Sequence, residues 1–261
     1  MTRVLAAVDR SAAATPVLSA AAALAHLLGA EVDAVHVREA PRSELAVPAA
    51  GVRIRVLKGS VVDALLAAAI APDVAVVVMG ARGTPAGRTP AGRTAIELAQ
   101  ALAKPLVLVP PDCPCPVQVR RVLAAVDSAT ARQSVLLRTL EDLVGVEPEM
   151  TVLHVRDDAS IPAFEDQPHH ARQAWERAFR RRTGARHGKV PLRLRTGSAA
   201  DLIIATAHES EADMIALAWG QNLSPGRSVV VRAVLERSTI PVLLVPSEAP
   251  GPVNEVVGLS R

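Results

Sequence analysis

Arg3–Ser11 reads RVLAAVDRS and Arg121–Ala129 reads RVLAAVDSA, identical from the arginine through the aspartate and 118 residues apart. A short aliphatic run that stops at an aspartate predicts a buried strand ending in a polar turn. The same offset relates Val32–Arg38 (VDAVHVR) to Met150–Arg156 (MTVLHVR). Further landmarks follow in the same order. Gly59-Ser60 matches Gly197-Ser198, Asp73 matches Asp213, and Pro105 in KPLVLVP matches Pro241 in IPVLLVP. Landmarks recurring in one order mark a tandem duplication. The offset grows to 138 by Gly59 and Gly197, so the second copy holds extra residues between its second and third strands. They include 168–183, where Trp175 and Phe179 stand four apart and predict a helix. The matching stretch of the first copy, Ala40–Gly51 (APRSELAVPAAG), is too proline-rich for a comparable helix.

Within each copy, short Val/Leu runs alternate with Ala/Leu-rich helical segments. Nearly continuous apolar strands alternating with helices predict a parallel sheet covered on both faces. The fold class is therefore α/β: two tandem doubly wound domains, each a five-stranded parallel sheet with helices on both faces. The boundaries fall at 1–110 for the first domain, 111–119 for a proline-rich linker, 120–247 for the second domain and 248–261 for a C-terminal tail. Four prolines in Pro110–Gln118 (PPDCPCPVQ) cannot continue a strand interior. A doubly wound sheet binds ligands outside the carboxyl ends of its strands, where strand order reverses.

Composition narrows the function classes. Half of the 261 residues are apolar, but the chain has only two Phe, two Trp and no Tyr. That argues against stacking platforms for single-stranded nucleic acid. The net charge of +3 is too small to imply a polyanion partner, and Arg177, Arg180, Arg181 and Arg182 read as one solvated helix face. Cys113 and Cys115 are too close for a disulfide and too few for zinc, so they are expected to be reduced thiols. The most apolar stretch is broken by Pro72 and Asp73, short of a membrane span. With no leader pattern at the first strand, a cytoplasmic protein without membrane partners is expected. No nucleophile–base pair or carboxylate pair stands out, so a binder rather than an enzyme is expected. His169-His170 lie in an arginine-rich amphipathic segment, which reads as exposed. His36 and His154 end apolar strands, where structural histidines satisfied by hydrogen bonds are expected.

The candidate chemistry lies at strand ends. Asp9 and its counterpart Asp127 follow the first strand of each copy, where a carboxylate can accept from a ligand or cap the next helix. Gly80–Thr94 reads GARGTPAGRTPAGRT. Gly87–Thr94 imitates a P-loop, with Arg93 in place of lysine, but it starts seven residues past Gly80, whereas a P-loop leaves its strand directly. The parse from the strand end is Gly80-x-x-Gly83, eight residues, then Gly92-Arg93-Thr94 opening a helix. Glycines let backbone approach a phosphate, and free N–H groups at a helix start favour an anion. Arg82, Arg88 and Arg93 could add charge-assisted bonds. A turn whose glycines only relieve strain stays open at this point.

These residues together resemble the universal stress protein family in a tandem two-domain form that covers nearly the whole chain. The resemblance rests on the first strand ending in VD, the second ending in HV, the GS pair and the terminal PVLLVP. It implies an adenine nucleotide alpha hydrolase-like fold and a stress-response protein binding ATP, with Mg2+, or a related adenine nucleotide. ATP-binding members carry G-x2-G-x9-G-[ST]. By position, Asp9 and Val37 would flank adenine, and Gly80, Gly83, Gly92, Arg93 and Thr94 would surround the phosphates. The sequence departs from the pattern in its shorter spacer and in Arg93, which shifts the hydroxyl role to Thr94. In the second copy Gly220 is kept, but Leu223 replaces the second glycine and Gly226-Arg227-Ser228 follows early. The first domain is thus the expected nucleotide site. The resemblance further implies an internal pseudo-dimer paired through the last strands and allows a homodimer; the alternative to nucleotide binding is a nucleotide-independent protein-interaction or scaffold module of the same fold.

Overall fold

The computed structural model of the protein describes residues 1–9, 14–38, 53–82, 91–114, 118–127, 130–144, 148–156, 177, 190–222 and 228–247. Of the helix expected over 168–183 only Arg177 is among them. In the first half the strands are β1 (Arg3–Ala7), β2 (Glu31–Arg38), β3 (Ile54–Lys58), β4 (Val74–Gly80) and β5 (Leu106–Val109). Its helices are α1 (Ala14–Leu28), α2 (Val61–Ala69) and α3 (Arg93–Ala101). The second half has β6 (Arg121–Val126), β7 (Glu149–Arg156), β8 (Leu192–Thr196), β9 (Met214–Trp219) and β10 (Val242–Pro246). Its helices are α4 (Thr130–Val144), α5 (Ala199–Glu209) and α6 (Val229–Arg237).

The ten strands among the described residues form one sheet in the order β3-β2-β1-β4-β5-β10-β9-β6-β7-β8. Each half is parallel throughout, as the aliphatic runs of its central strands predict. The halves meet where β5 and β10 run antiparallel, with Leu243 opposite Val107 and Leu244 opposite Leu106. The repeat is therefore two doubly wound units fused edge to edge, related by a pseudo-twofold axis between β5 and β10.

Side-chain alternation assigns the helices to faces. Val4, Ala6, Val76 and Val78 pack with α1, and Val122 and Ala124 pack in the same cluster with Leu136, Leu137 and Leu140 of α4. Leu5, Val77, Leu123 and Ile215 point to the other face, against Leu65 of α2, Leu98 of α3, Ile203 of α5 and Val234 of α6. Cys113 is buried in the α1/α4 cluster and packs there as a small side chain. Cys115 lies outside the described residues.

Local chemistry closes the elements. Helix α1 ends at Gly29, whose φ of 56° permits the paired bonds Ala30 N–H to Ala25 and Gly29 N–H to His26. At the amino ends of the strands, the Arg3 guanidinium holds Asp73 with two bonds of 2.7 and 2.9 Å and Asp33 with one of 2.8 Å. In the second half the backbone N–H groups of Arg120 and Arg121 donate instead to Asp213, at 2.7 and 2.8 Å. Among the described residues no helix is long and apolar enough to cross a membrane.

Candidate functional site

Strand order reverses between β1 and β4, and their carboxyl ends diverge around a cavity of about 250 Å3. Asp9, Val37, Gly80, Gly92, Arg93 and Thr94 all line it. The chain past β1 is held on two sides: Val8 N–H donates to Val35 O, and the Nδ1–H of His36 donates to Val8 O, both at 2.9 Å. Asp9 follows at once and is exposed. After β4, Ala81 N–H bonds Val109 O at 2.8 Å, and Gly92 N–H bonds Ala81 O at 2.7 Å. The turn at Gly92 is thus pinned to the sheet by its own amide, which is not among the groups open to a ligand.

The first intrahelical bond of α3 at this end is Ile96 N–H to Gly92 O, 3.0 Å. The N–H groups of Arg93, Thr94 and Ala95 therefore lack intrahelical partners and lie at the positive pole of the helix, on the cavity wall. Gly92 has φ −67°, which any residue adopts, and a Cβ there would stand 3.7 Å from Ala81 O. Its glycine is not needed by the backbone; it leaves room at the wall. The Arg93 side chain is 90% exposed beside Glu97, 3.7 Å away, so this residue reaches the cavity chiefly through its backbone. Gly83 and Arg88 lie outside the described residues. Arg82 lines the cavity at 5% exposure, but its Nη1 donates to Leu235 and Glu236 carbonyls of the second half, at 3.0 and 3.3 Å. Its Nε has no hydrogen-bond partner among the described residues.

The second half holds a larger cavity, about 510 Å3, at the matching reversal between β6 and β9. Asp127, Val155, Gly220 and Ser228 occupy places related to those of the first, but no Lys or Arg is among its described lining residues. Ser228 stands at the N-cap position of α6 with a left-handed φ of 48°, but its hydroxyl donates to Asn222 O at 2.8 Å and makes no bond to the helix amides. Leu223, Gly226 and Arg227 lie outside the described residues.

The Universal stress protein family matches residues 118–246. The second half of the chain belongs to this family. The fold of the tandem form recurs in whole chains. A functionally unknown protein from Pseudomonas aeruginosa PAO1 shares it over 94% of this chain and 92% of its own, with TM-score 0.69 at 15% identity. A universal stress protein from Archaeoglobus fulgidus DSM 4304 does so over 94% and 98%, with TM-score 0.67 at 17% identity. At such identities the likeness is one of fold. No curated protein matches the chain.

Within this universal stress protein fold, two features escape a reading of the sequence. His36 and His154 are satisfied, as expected of strand-end histidines, but both serve the aspartate turns. Each Nδ1–H holds the carbonyl one residue before Asp9 or Asp127, across the same separation of 28 residues. That recurrence was the available signal. The second is a cross-connection between halves. Besides the Arg82 bonds to α6, the Gln221 side-chain amide donates to Ala99, Gln100 and Leu102 carbonyls at the end of α3, at 3.1, 3.3 and 2.8 Å. No sequence pattern announces either contact, since each spans 119 residues or more.

Proposed function

We propose that this is a stress-response protein of the cytoplasm that binds ATP, or a related adenine nucleotide, in the first cavity without rapid turnover. The observation that carries the reading is the convergence on one cavity of Asp9, Val37, Gly92 and the amide pole of α3. A phosphate fits that pole because three N–H groups and the helix dipole face it. The Thr94 hydroxyl would add a donor, and the buried Arg82 supplies a positive charge in the same wall. Val37 would offer an apolar contact to the base, and Asp9 would accept from an amine or hydroxyl group. Bound nucleotide would bring a transferable phosphate and its Mg2+. Among the described residues no group of three or more His, Cys, Asp or Glu is placed to hold a metal, so Mg2+ would enter on the phosphates.

Titration calorimetry with Mg-ATP tests the reading. The wild type should bind, while Gly92→Val, which fills the wall beside the phosphates, should lose binding and keep its fold. Absence of heat, together with no thermal stabilisation by ATP, would overturn it. Phosphate release well above that of Gly92→Val would overturn the absence of rapid turnover. One observation favours a different role for the second half: Val229 stands 62% exposed at the start of α6. That half would then serve as an interaction module, and native mass spectrometry should find at most one nucleotide per chain.

A further inference from the structure

The antiparallel seam has a geometric result for the two cavities. Helix α3 starts at the carboxyl end of β4 and runs back to the start of β5. Leu106, at the start of β5, pairs with Leu244 near the end of β10, and β10 pairs in turn with the end of β9. The last turn of α3 is thereby delivered to the turn that follows β9, which walls the second cavity. By the same symmetry the last turn of α6 reaches the turn after β4, which walls the first.

Side chains close both junctions. Gln221 donates to three carbonyls at the end of α3, and Arg82 to two at the end of α6. Terminal carbonyls of a helix have no intrahelical donors and carry its negative pole, so a side-chain donor there fixes the helix end. Gln221 does so from a left-handed backbone with φ 53°. For a residue with a Cβ that conformation carries a cost, held in place only where the surroundings demand it. Gln221 sits between Gly220 and Asn222, which line the second cavity, and the other end of α3 carries the amides that line the first. The circuit closes through Arg82, since α6 begins at the second cavity and ends on an Arg82 that lines the first.

We propose that Gln221 is a positioning residue for the phosphate end of the first cavity, and that Gln221 and Arg82 together couple the two cavities through α3 and α6. This rests on the adenine-nucleotide reading of the first cavity. Gln221 acts on the end of the site that meets phosphates and not on the end that meets the base.

The experiment uses the full chain as wild type, Gln221→Leu, which keeps the shape and removes the donors, and Gln221→Lys, which restores a donor. Each is titrated with Mg-ATP and with adenosine, and hydrogen exchange is followed along α3 without ligand. Gln221→Leu should weaken Mg-ATP by about threefold to tenfold, the weight of a hydrogen-bonded contact. Adenosine should be unaffected, Gln221→Lys should recover ATP, and exchange should quicken as far along α3 as Ile96. Equal weakening of ATP and adenosine, or of neither, overturns the proposal, as does exchange confined to Gln100–Leu102. If the wild type binds neither ligand, the nucleotide reading falls, and the reach of the exchange change along α3 decides the coupling by itself.

Discussion

His36 and Asp73 show how single residues of this chain act at opposite ends of the sheet. Replacing His36 with Phe leaves the Val8 carbonyl without its donor, at a cost of about 1–3 kcal/mol for a buried polar group. His154→Phe should cost a similar amount by urea unfolding. Only His36→Phe should also weaken Mg-ATP, because only it loosens the turn that carries Asp9. Asp73 belongs to the other end. Its hydrogen bond from Arg3 holds the carboxyl below its ordinary value of 3.8. A depressed carboxylate contributes stability that is present above its ordinary pKa and is lost as pH falls through the depressed one. The urea midpoint of wild type should therefore exceed that of Asp73→Asn at pH 7, and the gap should close in acid below the ordinary carboxylate range. At this scale the sequence named six residues of the cavity wall: Asp9, Gly80, Gly92, Arg93 and Thr94 from their places after strand ends and at a helix start, and Val37 through the family resemblance. It could not show that Gly92 spends its own amide on Ala81, nor that Arg93 turns outward to Glu97, because those depend on the path of the chain through space.

The elements were legible wherever local chemistry decides them. Strands β1 and β4 are aliphatic runs too short and too continuous for amphipathic helices, and α1 stops where Gly29 can enter the left-handed region. Two glycines at helix starts differ in what they do, and substitution should separate them. Gly59 has φ 115° with open space around its missing Cβ, so Gly59→Ala should cost about 1–3 kcal/mol from backbone strain alone. Gly92→Ala, at an ordinary φ, should cost less than about 1 kcal/mol in chemical denaturation. The helix expected over 168–183 falls almost wholly outside the described residues. The end of α3 was not legible as a contact surface, because its partner Gln221 arrives from the other half.

The whole molecule is held by the β5–β10 seam. Val107 and Leu243 face each other there and are essentially fully buried. Val107→Asp would bury a carboxylate without a partner, and should cost more than about 4 kcal/mol. Because one sheet runs through both halves, calorimetry of that variant should show both halves losing stability in a single transition. Two separate transitions, with the second half unaffected, would mean that the seam does not unite them.

The tandem repeat, the alternation of strands and helices and the strand-end aspartates and glycines were determined by the sequence alone. They rest on side-chain period, on turn conformations open to few residues and on duplication, all of which act over short stretches of chain. The tertiary structure decided that two parallel sheets become one and that their edges meet antiparallel. It also decided that each half caps the helix walling the other half's cavity. Those contacts join residues more than a hundred positions apart, and only the pairing of β5 with β10 brings their donors and carbonyls within hydrogen-bond reach.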